Sequence, residues 1–302
     1  MQDLPHAYND LLARITALPE IEQRFLKRSL AYADRGREMP LLEIAEWDQD
    51  LSDAEYRLQT TQIATWFRDD IRPLYKKHLA FFKAGALYDE RAVFGGNRTG
   101  KTHCGVFEDV LDLTGLYPDW WEGNRFDHPI DMWVATDTAK NTRDILQEKF
   151  CGKPGVPGAL GTGMVPIELF AREPTLKHGT PNAYETIYVY HQTHGIVDGV
   201  STCMFKSYDQ GREAFQGTHQ DKIHLDEEPK IEIYSECSLR LMSTSPGQPN
   251  GKLVLTETPL LGISELMQSF MPELKPEPDV APITEYQHVD VDEDGNEIMI
   301  DE

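Results

Sequence analysis

Apolar residues recur at helical spacing through the first 85 positions of the chain. One stripe runs from residue 21 to residue 33 and predicts a helix that stops near Gly36. Residues 52–55, Ser-Asp-Ala-Glu, have the form of a capping box and predict the start of a second helix. Pro73 is predicted to open a third helix, and Gly85 to end it. The first stripe consists of Ile21, Phe25, Leu26, Leu30 and Ala33.

Beyond residue 85, short apolar runs alternate with segments that suit helices. This alternation predicts an α/β fold, with a mostly parallel central sheet flanked by helices and a helical region before it. We divide the chain into a helical N-terminal region (1–70), a core (71–270) and an acidic tail (271–302). The predicted strands cover residues 92–94, 130–135, 186–192, 202–206, 222–227 and 253–258, and the predicted helices cover 102–113 and 136–149.

A glycine-rich loop lies between the first of these strands and the helix that follows it. Residues 95–102 match the phosphate-binding pattern G-x-x-x-x-G-K-[ST]. In such a loop the backbone N–H groups turn inward around a polyphosphate, and the helix N-terminus adds partial positive charge. Lys101 is predicted to reach the β- and γ-phosphates, and the Thr102 hydroxyl to ligate magnesium. The nucleotide-binding loop comprises Gly95, Gly96, Asn97, Arg98, Thr99, Gly100, Lys101 and Thr102.

A second chemical landmark is the short strand that ends in acidic residues at 226–228. It has the form of a Walker B element, in which the aspartate holds magnesium through its water shell and the next glutamate polarises the attacking water. We predict Asp226 as the metal-binding residue and Glu227 as the catalytic base, with Glu228 as the less favoured base. The strand end Thr256-Glu257-Thr258 could report loss of the γ-phosphate to moving parts, or it could be a strand end alone.

Charge and cysteine content narrow the class of protein. The 302 residues carry a net charge of −22, and residues 271–302 hold eleven acidic side chains against one basic one. This charge argues against broad, nonspecific coating of DNA, although a local basic patch remains compatible with it. Four scattered cysteines indicate reduced thiols in a cytoplasmic protein. The apolar runs are far shorter than the roughly 18–20 residues of a membrane span, so no membrane role is expected.

Two further patterns resemble metal sites but favour structural interpretations. His191 and His194 stand three residues apart in a predicted strand and therefore point to opposite faces, which disfavours a shared metal. Residues 290–295 resemble the start of a calcium loop, but the rest of that pattern is missing. A β-hairpin around Asp294-Gly295 is the preferred interpretation.

Three stretches together resemble the ATPase half of a large terminase subunit, the DNA-packaging motor of tailed bacteriophages. They are G-G-N-R-T-G-K-T, F-K-S-Y-D-Q-G-R-E-A-F-Q-G running into H-L-D-E-E-P, and L-T-E-T-P-L-L-G, within about residues 70–265. The resemblance implies a P-loop NTPase of the ASCE type that uses ATP and Mg²⁺ to move double-stranded DNA into a procapsid. It also implies a homo-oligomeric ring, a portal protein and a small terminase subunit as partners, and the host cytoplasm as the location.

The resemblance also implies roles for single residues. Arg98, inside the glycine loop, corresponds to an arginine thought to sense the γ-phosphate. His78 stands where many relatives have an adenine-recognising glutamine. Thr256, Glu257 and Thr258 match the coupling motif, whose central residue is usually small.

An arginine finger is harder to place. Some relatives have this arginine immediately before the glycine that is Gly217 here, but this chain has Gln216 at that position. Arg212, four residues earlier, is the substitute candidate, with Arg143 as the second choice.

Members of this family normally carry a nuclease domain after the ATPase. Too few residues follow the coupling motif to form one, so we expect no nuclease activity. Two alternatives remain open on the sequence. One is a helicase or remodeller that shares the ATPase core, and the other is a docking or assembly subunit whose nucleotide site is structural.

Overall fold

The structure is a computed structural model, and it describes residues 19–33, 35–37, 39–243, 249–259, 262–271, 273, 288–291 and 297–300. The chain divides into two compact units, Met1–Leu260 and Leu261–Glu302. Among the described residues, no helix is long and apolar enough to cross a membrane. All four cysteines are buried and free.

A seven-stranded sheet forms the centre of the first unit. Its strand order is β1-β7-β6-β2-β5-β4-β3, and the first five of these strands run parallel to one another. β4 and β3 extend the sheet in antiparallel pairings. This arrangement confirms the predicted α/β class with a mostly parallel sheet. The strands are β1 Glu90–Phe94, β2 Asp131–Thr136, β3 Phe170–Leu176, β4 Tyr184–Thr193, β5 Ile196–Ser207, β6 Lys222–Asp226 and β7 Lys252–Glu257.

The helices of this unit largely follow the sequence pattern. They are α1 Pro19–Ala33, α2 Leu41–Thr60, α3 Gln62–Thr65, α4 Lys76–Ala84, α5 Lys101–Thr114, α6 from Ala139 through a π-helical Thr142–Gln147 to Cys151, and α7 Ile231–Leu241. Short 3₁₀ turns cover Arg72–Leu74, Ile167–Leu169, Tyr208–Gln210 and Arg212–Phe215.

The predicted helix start at Ser52 is wrong. Helix α2 already begins at Leu41, so Ser52 lies in its interior. The Ser52 hydroxyl donates to the carbonyl of Asp48, one turn earlier, instead of capping a helix. A serine inside a helix satisfies its hydroxyl in this way, and the sequence alone does not distinguish this from a cap.

Helix α5 is buried around most of its circumference, because it lies between the sheet and an aromatic cluster. Its Phe107 ring lies 4.8 Å from Phe67 and 6.2 Å from Trp120, measured between centroids. Trp121 is also part of this core. Both tryptophans therefore help to anchor the hydrophobic core. The rigid packing fixes the first turn of α5, which follows the glycine loop.

The second unit contains one short helix and two strands among its described residues. Helix α8, Glu265–Phe270, begins with Ser264, whose hydroxyl accepts a hydrogen bond from the amide of Met267. Strands β8 His288–Val291 and β9 Glu297–Ile300 pair antiparallel, which is the arrangement of a hairpin. Residues 292–296, on which the calcium-loop alternative depends, lie outside the described residues.

Candidate nucleotide-binding site

The glycine loop connects β1 to α5 at the carboxyl end of the parallel strands. Gly100 takes the left-handed conformation with φ 85° directly before the helix. At the start of the loop, the amide of Gly95 donates to the carbonyl of Glu257 on β7, over 3.2 Å. Arg98 is exposed and also left-handed, with φ 63°. The loop is thus held at both ends, while its middle presents Arg98 outward.

Lys101 is largely buried, with 8% of its surface exposed. Its Nζ atom donates to the carbonyl of Gly96, 2.9 Å away. The hydroxyl of Thr99 donates to the same carbonyl over 2.9 Å. The ammonium group therefore lies inside the curve of the loop, where a phosphate would meet it.

The hydroxyl of Thr102 donates to Oδ1 of Asp226 over 2.9 Å, which joins the start of α5 to the end of β6. Thr256 lies beside Asp226 in the β6–β7 register and donates to the same oxygen, over 2.5 Å. Only 2% of Asp226 is exposed. Hydroxyl and carboxylate oxygens are the ligands that Mg²⁺ prefers, so Thr102 and Asp226 form a donor set that fits this ion.

Glu227 leaves the strand in a left-handed conformation with φ 68°, which is unusual for a residue other than glycine. Its amide donates to the carbonyl of Thr256 over 2.7 Å, and its Oε2 accepts from the amide of Thr258 over 3.2 Å. The hydroxyl of Tyr208 donates to the carbonyl of Glu227 over 2.9 Å. Burial raises the pKa of the Glu227 carboxyl above its usual value. These contacts fix a glutamate beside the glycine loop.

Glu257 is a buried carboxyl in the predicted coupling motif, and 1% of it is exposed. Burial, followed by the neighbouring Glu228, raises the pKa of Glu257 to about 7. A small residue at this position would carry no such charge. The coupling strand of this chain therefore contains a group that is partly protonated near neutral pH.

His78 lies against the glycine loop. The ring of His78 is hydrogen-bonded to the backbone of Thr99, and burial lowers the pKa of the imidazole. A Cβ atom on Gly100 would lie 3.3 Å from Nε2 of His78. Trp66 and His103 also lie close to the loop, although no motif predicts this, and their rings stack with centroids 4.3 Å apart. Burial lowers the pKa of His103 to about 4, so this ring is neutral at physiological pH.

The two candidate finger arginines are engaged in ion pairs. Arg212 lies 2.8 Å from the buried carboxylate of Glu236 on α7. Arg143 pairs with Asp144 over 2.7 Å and donates to the carbonyl of Pro181. A role in a neighbouring subunit would require either side chain to exchange these partners.

A buried network of charges, which no sequence motif predicts, lies under Thr102 and Asp226. Lys222 of β6 is fully buried and lies 2.6 Å from Asp112 and 2.9 Å from Asp109, both on α5. Glu108 of the same helix pairs with Arg91 of β1. The signal in the sequence was the presence of Lys222 and His224 at alternate positions of an apolar strand, together with three acids on the helix that follows the glycine loop.

His224 connects this network to Asp226. Its Nδ1 lies 2.5 Å from Oδ2 of Asp109, and its Nε2 lies 2.9 Å from the Thr256 hydroxyl. Because Thr256 donates its one hydrogen to Asp226, it must accept from the ring, and Asp109 can only accept. Both ring nitrogens therefore carry a proton. Burial opposes this charge, but Asp109 outweighs it and raises the pKa of His224.

His191 and His194 lie in different surroundings. His191 is buried, and its Nδ1 lies 2.7 Å from the carboxylate of Asp198 across the β4–β5 hairpin. His194 takes a left-handed conformation with φ 53° in the turn. Among the described residues, no cluster of three or more His, Cys, Asp or Glu side chains could hold a metal ion.

A strand, a glycine loop and a helix carrying Lys101 and Thr102, opposed by a strand that ends in a buried aspartate, define a P-loop NTPase. Residues 93–297 match the family model described as "Terminase large subunit, T4likevirus-type, N-terminal". The chain belongs to this family of terminase large subunits.

A relative found by sequence agrees with the family match. The large terminase subunit of Salmonella phage P22 is 33% identical over 213 residues, which are 65% of this chain and 41% of that protein. The chain thus spans about two fifths of the length of this relative.

Two solved structures are similar at lower identity. The ATPase domain of the Thermus phage P74-26 large terminase shares 16% identity at a TM-score of 0.34, covering 63% of this chain and 68% of that one. The large terminase of a thermophilic bacteriophage, solved in complex with ADP, shares 13% identity at a TM-score of 0.31, with coverages of 66% and 37%.

Proposed function

We propose that this chain is the ATPase motor of a terminase large subunit, which hydrolyses ATP to drive double-stranded viral DNA into a procapsid. The observation that carries the proposal is the hydrogen bond between Thr102 and Asp226, which joins the glycine loop to the Walker B strand across 124 residues. Membership of the terminase family supports the packaging role.

The glycine loop binds the triphosphate through its backbone N–H groups and through Lys101. Arg98, exposed on the loop, senses the γ-phosphate. His78, bonded to the loop behind Gly100, takes the position of the adenine contact. The buried position of Lys101 next to Gly96 supports this arrangement.

Thr102 and Asp226 would hold Mg²⁺, which when bound would supply positive charge that neutralises negative charge on the phosphate oxygens. Glu227 orients a water molecule for in-line attack on the γ-phosphorus and accepts a proton from it, while the bond from the γ-phosphorus to the bridging oxygen of ADP breaks. Burial raises the pKa of Glu227, which makes its carboxylate a stronger proton acceptor. Glu228, one residue further on, is the second candidate for this role.

Hydrolysis is coupled to movement through Thr256, Glu257 and Thr258. Thr256 donates to Asp226, and the amide of Thr258 donates to Glu227, so this strand end contacts both acidic residues of the site. A change at either acid is therefore transmitted to the strand and to the loop after it. Arg212 is the candidate finger that a neighbouring subunit would receive.

The motor works as a homo-oligomeric ring on a portal protein, with the small terminase subunit delivering DNA, in the host cytoplasm. The strongly acidic chain favours contact with DNA at a local basic surface over broad coating.

The decisive experiment compares ATP turnover and ATP binding in the wild type and two variants. Lys101→Ala is expected to abolish both, and Glu227→Gln to abolish turnover while ATP still binds. Undiminished hydrolysis by Glu227→Gln would contradict the base assignment. ATP binding without phosphate release by the wild type would contradict the motor and favour a docking subunit. Strand separation on free DNA, in place of packaging into portal-bearing capsids, would favour a helicase.

A further inference from the structure

A continuous chain of hydrogen bonds runs beneath the metal-binding carboxylate. It begins at Asp109 on α5, passes through the ring of His224 and the hydroxyl of Thr256, and ends at Oδ1 of Asp226, with distances of 2.5, 2.9 and 2.5 Å. Each of the four side chains is at most 2% exposed. Water therefore does not compete for these bonds, and each partner restricts the orientation of the next.

The direction in which hydrogens are donated along these hydrogen bonds determines how Asp226 is held. The Thr256 hydroxyl has one hydrogen and donates it to Asp226 because its oxygen receives the hydrogen on Nε2 of His224. Without the ring, the hydroxyl could rotate toward another acceptor, and Asp226 would lose one of the two hydroxyls that converge on Oδ1.

We propose that His224 is a positioning residue for the metal site. Acting through Thr256, it fixes the Asp226 carboxylate in the orientation that receives Mg²⁺ with the nucleotide. This inference rests on the proposed function, since it takes Asp226 as a magnesium ligand. Groups that orient a metal ligand typically change metal affinity or activity about 10–100-fold when they are removed.

The test measures equilibrium binding of a fluorescent ADP analogue in a series of Mg²⁺ concentrations, and separately in EDTA. His224→Asn keeps an amide near Asp109 but is too short to reach Thr256. We expect it to raise the Mg²⁺ midpoint about tenfold, with binding in EDTA unchanged. If His224 only stabilised the fold, its loss would weaken binding of the ADP analogue in EDTA as well as raising the Mg²⁺ midpoint.

Two variants of Thr256 keep the proposal open to refutation even if His224→Asn does not fold. Thr256→Val removes the hydroxyl at nearly constant shape and should raise the midpoint as His224→Asn does, whereas Thr256→Ser should retain the wild-type midpoint. Because His224 acts through Thr256, the double variant His224→Asn/Thr256→Val should shift the Mg²⁺ midpoint no further than either single substitution does. The matched control is His191→Asn, which removes a His–Asp pair of similar geometry between the buried His191 of β4 and the partly exposed Asp198 of β5.

A midpoint for Thr256→Val equal to that of the wild type would overturn the proposal. So would additive shifts in the double variant, or an equal shift in His191→Asn. Nucleotide binding by the wild type tests the proposed function separately from the positioning role of His224. If it binds no nucleotide at any Mg²⁺ concentration, both ideas fail, whereas normal wild-type binding with unshifted variants removes only the positioning role.

Discussion

Gly105 of α5 lies directly against His224 of β6, and a Cβ atom on Gly105 would be 2.3 Å from Cε1 of the imidazole. A glycine inside a helix normally costs stability, by roughly 0.5–1 kcal/mol relative to alanine. Here it allows the P-loop helix to approach the Walker B strand closely enough for Asp109 to reach His224. The glycine therefore sets the spacing of the buried network.

Gly105→Ala is expected to destabilise the protein by about 1–3 kcal/mol, because the methyl group would overlap a ring with no room to move. Urea denaturation measures the change. Gly96→Ala is the matched control, since its Cβ would meet only Thr99, at 4.0 Å, and should leave stability nearly unchanged. Equal stability of Gly105→Ala and the wild type would show that α5 can shift away from β6.

Lys222→Met should destabilise the protein by about 3–5 kcal/mol, since it leaves buried carboxylates without their cation. Asp109 and Asp112 lie within 2.9 Å of its Nζ atom. Lys252 occupies the partner position on β7 and pairs with the half-exposed Asp89, so Lys252→Met should cost at most about 1 kcal/mol. Thermal unfolding of the two variants gives the comparison. Similar losses of stability in Lys222→Met and Lys252→Met would contradict the prediction that the buried ion pairs of Lys222 matter more than the exposed pair of Lys252.

Glu257 should make the stability of the protein depend on pH. Its pKa is about 7 in the folded chain, above its ordinary value of 4.5, so the unfolded chain releases this proton at a lower pH. The contribution of this group to stability therefore falls as the pH rises from about 4.5 to about 7 and is constant above that. Glu257→Gln removes this dependence, and the variant should gain stability relative to the wild type as the pH rises from about 4.5 to about 7. A constant difference across that range would contradict the raised pKa.

Tyr208→Phe should lower kcat by about tenfold without changing ATP affinity, because small displacements of catalytic groups are costly. Its hydroxyl donates to the carbonyl of Glu227, which is held with φ 68°. Steady-state ATPase kinetics provide the measurement. Tyr88→Phe, at an exposed position, is the control and should behave as the wild type does. An unchanged kcat in Tyr208→Phe would show that the contacts of Glu227 with Thr256 and Thr258 are enough to hold it.

Local features of the sequence were sufficient for the glycine loop and its flanks. The residues of the loop follow one another directly in the sequence. The order of its glycines, Lys101 and Thr102 is therefore enough to predict the geometry of the loop. The buried strands were likewise predictable from apolar runs. The start of α2 was not predictable, because the sequence around Ser52 fits a helix cap and a helix interior equally well.

The fold class and the glycine-loop motif can therefore be predicted from the order of residues in the chain. The contact of Thr256 with Asp226, and those of Lys222 and His224 with acids of α5, depend on the three-dimensional fold. These partners are separated by 30 to 115 residues. The order and register of parallel strands bring them together, and no local pattern encodes which strands become neighbours. Alternate polar residues in a strand would ordinarily face solvent, and the helix packed over β6 makes them a buried network instead.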